Sequence, residues 1–195
     1  MLSMGRMDST PTPAGQFAAA LRREAQDPGL PVPLWELEFH GWHLFSGKAF
    51  TVGREFQRLG KQERDRALHM NAEVMTEVAQ KLDFSAITVP GGYWEQAPGH
   101  PAYFWLPEEA RFEQIRILKS FLGNERMLVA SCPAVLAMPG AEEYMDFSCT
   151  LMERPQEIRV RADALLVSGK ELASRLIDAG AGALYTACLL YTSDA

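Results

Sequence analysis

Apolar residues recur along this chain in two rhythms. From Lys61 to Leu82 they fall at Leu68, Ala72, Met75, Val78, Ala79 and Leu82, in steps of three and four, with Glu, Arg, Gln, Asn and Lys between them. That period predicts a helix with one buried face. Phe112, Ile115, Leu118, Phe121 and Leu122 repeat the pattern behind Pro107-Glu108-Glu109, a helix start, and Gly123-Asn124 ends it. A third helix starts at Pro155 and carries Ile158, Ala162, Leu165, Leu166, Leu172 and Leu176 until Asp178–Gly182. Two shorter helices are expected. One runs Phe17–Ala25, with Phe17, Ala18 and Leu21 on one side; the other runs Ala141–Met152 and offers Tyr144, Met145 and Leu151 to the core.

Between these helices lie four short segments with strand character: Val32–Phe39, Ser85–Val89, Met127–Ser131 and Ala183–Thr186. The region 46–60 reads as loop with some helical turn. Strand and helix in alternation, each helix with an apolar face, predict a parallel α/β sheet. No glycine-rich phosphate loop follows any of these strands, so a nucleotide-binding sheet is disfavoured. The better expectation is a TIM-type (β/α)8 barrel, which needs about 250 residues. Four strands in 195 residues amount to its N-terminal half, a truncated barrel.

Composition narrows this little. A net charge of −6 argues against nucleic acid and against a polybasic membrane anchor. Cys132, Cys149 and Cys188 are widely spaced, which fits a reducing cytoplasm better than a disulfide framework. There is no signal-peptide core and no apolar run of about 18 residues, so no membrane span is expected. Residues 1–13 are rich in Met, Ser, Thr and Pro and are expected to be disordered. Residues 14–187 form the expected domain.

The Val32–Phe39 segment draws most attention. On a strand, Glu36 and Glu38 share one face, and His40 and His43 follow. Active sites of such barrels lie at the carboxyl ends of the strands, which brings Glu36, Glu38, His40 and His43 together as candidate catalytic residues. The acids can serve as general acid and carboxylate anchor; the plainer alternative is one salt bridge and one solvated side chain. The histidines can bind metal or shuttle protons, or be ordinary loop residues. Trp35, Tyr93, Trp94, Glu95 and His100 are the candidate substrate-binding residues. Tyr93 and Trp94, with Tyr103 and Trp105, belong to a long aromatic loop that can wall a pocket or pack on itself. Cys132, just after the third strand, is reactive or plain filler.

Several motifs, in order, carry a family resemblance: Pro31-Val-Pro-Leu-Trp35; Asn71-Ala-Glu73 ahead of Phe84–Val89; Cys132–Pro139 followed by Glu143-Tyr144; and Glu153-Arg-Pro-Gln-Glu157 with Asp178–Ala183. Over roughly Pro31–Ala187 the arrangement resembles the uroporphyrinogen decarboxylase superfamily. The resemblance implies a (β/α)8 barrel enzyme. Two departures redirect the expected function. Where true decarboxylases carry arginines that grip a polycarboxylate, this chain has Glu36-Leu-Glu38-Phe39; where they place an essential Asp, it has Pro90-Gly-Gly-Tyr93. It is more similar to the corrinoid-linked methyltransferases of the same superfamily.

That likeness implies methyl transfer or demethylation from a small donor, a corrinoid protein as partner, and zinc and a corrinoid bound with the missing C-terminal half. No metal ligand is assigned in this chain. Porphyrin-pathway decarboxylation, a lyase activity, is the alternative. A further alternative is an incomplete, non-functional fragment with unpaired strand edges. The methyl-transfer expectation depends on acids replacing the cationic clamp; acids turned away, with an arginine in the mouth, would count against it. Finally, Cys188–Ala195 resembles the in-frame translation of a transposase sequencing adapter; the other reading is a natural strand end.

Overall fold

The structure is a computed structural model that describes residues 11–24, 29–90, 106–132, 135–136 and 139–186. Seven helices and three strands follow one another among them: α1 Pro13–Leu21, α2 Trp42–Ser46, α3 Gly53–Arg58, α4 Lys61–Lys81, β1 Ala86–Thr88, α5 Glu108–Leu122, β2 Met127–Ser131, α6 Ala141–Glu153, α7 Pro155–Ala179 and β3 Ala183–Tyr185. The strands form one parallel sheet in the order β1-β2-β3, with Ile87 opposite Leu128 and Ala130 opposite Leu184. The fold is mixed α/β, helices flanking a three-stranded parallel sheet. Among the described residues the sheet stays open and does not close into a barrel.

Local chemistry sets the helix ends. The Thr12 hydroxyl accepts the Gly15 N–H at 3.1 Å and starts α1 ahead of Pro13, so helix begins inside the stretch 1–13 that the sequence marks as disordered. Residues 1–10 of that stretch, and Cys188–Ala195, lie outside the described residues. Glu63 reaches back to the Gly60 N–H at 2.8 Å at the start of α4. Gly180, at φ +118°, closes α7 in a conformation that L side chains rarely adopt.

The sheet separates two apolar layers. Its outer face presents Ile87, Leu128, Ala130 and Cys132, which pack with Leu68, Met75 and Val78 of α4, Phe112, Ile115 and Leu118 of α5, and Leu176 of α7. These side chains are almost wholly buried, and each large one contributes about 1.5–3 kcal/mol. The inner face carries Ala86 and Val129 beneath Phe17 of α1, with Trp35, Met127 and Tyr185 around them. Asn71, fully buried on α4, clasps the main chain of Thr51: its Oδ1 accepts the Thr51 N–H and its Nδ2 donates to the Thr51 carbonyl, both at 2.8 Å.

Two expectations fail. The opening strand over Val32–Phe39 is not one: a single parallel bridge joins Leu34 to Phe84, and the chain bends at residues 37–38. Pro31 and Pro33 lack the N–H groups a ladder needs, so only the Ser85 N–H to Leu34 carbonyl bond forms, at 2.7 Å. The second failure is α6, which buries none of its residues. Tyr144, Met145 and Leu151 are exposed, because this helix packs on α7 rather than on the sheet. Phe121 and Leu166 likewise face outward. No helix among the described residues is long and apolar enough to cross a membrane.

Candidate functional site

In a parallel sheet the carboxyl ends of all strands lie at one edge. Thr88, Ser131 and Tyr185 are the last residues of β1, β2 and β3. The strand pairing puts Thr88 beside Val129 and Ser131 beside Tyr185, and the two-residue alternation puts all three on the inner face with Ala86 and Val129. The chain that follows the failed strand is pinned to this edge by side chains instead of a ladder. The Trp35 indole N–H donates to the Thr88 hydroxyl at 2.9 Å, and that hydroxyl donates to the Glu36 carbonyl at 3.1 Å. Trp35 also meets Phe17 and Tyr185 edge-on, with ring centroids 5.6 and 6.5 Å apart.

Arg111 approaches the same edge from the first turns of α5. Its Nη1 donates to the carbonyl and the hydroxyl of Ser131 at 3.2 and 3.3 Å. The residue is only 4% exposed, and its Nε has no hydrogen-bond partner. Burial lowers its affinity for the proton; Glu108 is the first of the groups that offset this, followed by Cys132 and Tyr185. Glu108 is itself held by Arg175 at 2.6 Å, and Glu109 by the same guanidinium at 2.7 Å. The cation of Arg111 is thus stabilised from a distance, not by direct pairing with either acid.

Burial pushes the Tyr185 phenol above its usual value. The Ser131 hydroxyl pulls it back, the Glu38 charge raises it further, and Arg111 lowers it. It therefore stands as a neutral hydroxyl. Glu38 is half-buried, and burial holds its carboxyl above the ordinary carboxylate value against the pull of His40. A carboxylic acid held toward its protonated form, a neutral phenol, a serine hydroxyl and a buried guanidinium with an unused N–H all sit around the carboxyl end of the sheet. The set can donate protons and receive negative charge.

The sequence candidates divide. Trp35 and Glu38 belong to this cluster, and His40 acts on Glu38 although exposed. Glu36 is exposed and contributes its carbonyl to Thr88; the two acids do not share a strand face, because no strand forms there. His43 lies exposed on α2. Among the described residues no three His, Cys, Asp or Glu side chains come together to hold a metal ion. Tyr93, Trp94, Glu95 and His100, with Tyr103 and Trp105, lie outside the described residues. Cys132 is buried on the outer face, where its thiol donates to the Gly169 carbonyl at 3.5 Å.

Arg111, Thr88, Ser131 and Tyr185 are missing from the sequence candidates. Arg111 had a signal: it occupies the helical stripe of Ile115, Leu118 and Leu122, the apolar face of α5. A charge on that stripe is either tucked against solvent or held in a site. Ser131 and Tyr185 become visible once strand ends and pleat are assigned. Compared with known proteins, the chain matches no family model and no curated protein.

Proposed function

We propose that this chain supplies the opening part of a (β/α)8 enzyme of the uroporphyrinogen decarboxylase superfamily, which removes a methyl group from a small oxygen-linked donor in a reducing, cytoplasmic setting. The observation that carries this reading is Glu38. Its carboxyl is half-buried beside the strand ends and held toward the protonated state. A general acid of that kind is what cleavage of a methyl ether needs. The methyl–oxygen bond breaks, the methyl group passes to a nucleophilic acceptor, and the Glu38 proton goes to the departing oxygen. Trp35 forms an apolar wall, and Tyr185 donates a hydrogen bond near the same oxygen.

Zinc and a corrinoid belong to the methyltransferases that the sequence resembles. Among the described residues no three His, Cys, Asp or Glu side chains come together to hold a metal ion, the resemblance places such ligands in the later half of the barrel, and no step here passes through either group. A corrinoid protein remains the proposed acceptor's carrier. The test is incubation of the full-length enzyme with methylated phenols or amines and a corrinoid partner. Formation of the methylated corrinoid is expected, slowed about 10²–10⁴-fold by Glu38→Gln; no methylated corrinoid across the panel sinks the reading.

One observation favours the decarboxylase alternative. With Glu36 turned to solvent, the mouth holds one acid and one arginine, not the wholly acidic rim that the sequence implied. A cation there suits a carboxylated substrate. Conversion of uroporphyrinogen to coproporphyrinogen by the same protein would establish decarboxylation in place of methyl transfer.

A further inference from the structure

We infer that Arg111 is the anchor for a single carboxylate group on the substrate, held at the carboxyl end of β2 by the guanidinium edge that Ser131 leaves unused. The inference deepens the methyl-transfer reading and rests on it for the identity of the reacting bond.

Three features of Arg111 point the same way. First, its hydrogen bonding is one-sided. Nη1 is spent on the Ser131 carbonyl and hydroxyl, while Nε, deep in the protein, has no partner. No bond from Nη2 accompanies these among the described residues. In a guanidinium, Nε–H and one Nη–H lie parallel along one edge, and that fork matches the two oxygens of a carboxylate. Second, the acids next to it in the chain do not satisfy it. Glu108 and Glu109 both bind Arg175, which also stacks on Phe112 with 4.3 Å from its guanidinium carbon to the ring centroid. Third, the surroundings are built. Ser131 fixes the guanidinium plane, and Tyr185 presents a neutral hydroxyl on the same edge of the sheet. A buried cation without a direct counter-charge is costly, and a carboxylate entering the site removes that cost.

Glu38 lies within electrostatic reach of Tyr185, and its charge when ionised disfavours a second carboxylate, which limits the site to one such group. The ligand class is therefore a small monocarboxylate whose apolar body lies toward Trp35. The reactive oxygen then falls toward Glu38, and the two ends of the substrate are sorted by charge.

The experiment uses the 195-residue protein with nitrogen-15 in its arginine side chains, titrated with benzoate and with the neutral benzamide. The Arg111 Nε–H resonance is assigned by its loss in Arg111→Lys. Benzoate is expected to shift it saturably with a Kd of about 1 mM, and benzamide is expected to leave it in place. Arg111→Lys keeps the charge but loses the fork, and should weaken benzoate about tenfold as read from the remaining resonances. Equal shifts by both ligands, no saturation below about 50 mM, or undiminished binding to Arg111→Lys would overturn the inference. If that variant does not fold, as judged by circular dichroism, the benzoate–benzamide contrast on the native chain decides alone. Benzoate binding without methyl transfer refutes the functional reading and leaves this one standing; methyl transfer without benzoate binding does the reverse.

Discussion

The two faces of the sheet use the same three strands differently. The outer face is filled by side chains whose only task is volume: Ile87, Leu128 and Ala130 against α4 and α5. The inner face is apolar only where Phe17 covers it. Toward the strand ends it changes to Thr88, Ser131 and Tyr185, with Trp35, Glu38 and Arg111 gathered over them. One face is optimised for burial, while the other keeps groups whose burial opposes folding. A buried cation and a partly buried acid near one sheet edge are what the proposed site would require.

Mutations can break this contrast. The largest effect should come from the outer face: Leu118→Ala, at a fully buried position, is expected to cost about 3–4 kcal/mol in urea unfolding. On the inner face, Trp35→Phe keeps the ring and removes one hydrogen bond to Thr88, which should cost about 1 kcal/mol by the same measurement. Arg111→Met should act in the opposite sense. Losing its bonds to Ser131 is outweighed by removing a buried charge, so the melting temperature should hold or rise, by up to about 1 kcal/mol of stability. A loss of several kcal/mol there would make Arg111 an ordinary structural residue.

The smallest effect sharpens the contrast through pH. The Glu38 carboxyl is raised in the folded state. Below the ordinary carboxylate pKa of about 4.3, folded and unfolded chains both hold the proton and nothing is lost. As pH rises through the unfolded value and then the folded one, the unfolded chain releases its proton more readily, and stability falls. Glu38→Gln should therefore gain melting temperature relative to the native protein as pH rises above about 4.3. A difference that stays flat over that range, or runs the other way, would show that Glu38 is not held toward its protonated form.

The sequence made the outer face legible and left most of the inner edge hidden. Helical period alone located α4, α5 and α7, because each presents a continuous stripe to the sheet. It could not tell that α6 packs on a neighbouring helix, since Tyr144 and Met145 have the same spacing either way. The opening strand was misread because β-prone residues outweighed Pro31 and Pro33, and a missing N–H is decisive for a ladder. Glu38 and Trp35 stood out by chemistry near a strand-like segment. Ser131 and Tyr185 gain meaning only from the partner strand beside them, which no local pattern reports. Arg111 was hidden among residues of an apolar stripe, and its guanidinium meets Ser131 at the end of β2, a partner twenty residues away and beyond any local pattern.

The clasp between Asn71 and Thr51 ties two parts of very different regularity. Residues 47–52 have no helix or strand of their own, yet both main-chain polar groups of Thr51 end on a side chain rooted in the longest-packed part of α4. That stretch borrows its lifetime from the helix. Its amide at Thr51 should trade hydrogen for deuterium in step with the middle of α4 rather than with its own neighbours, so the strap between α2 and α3 opens only when the layer beneath it does.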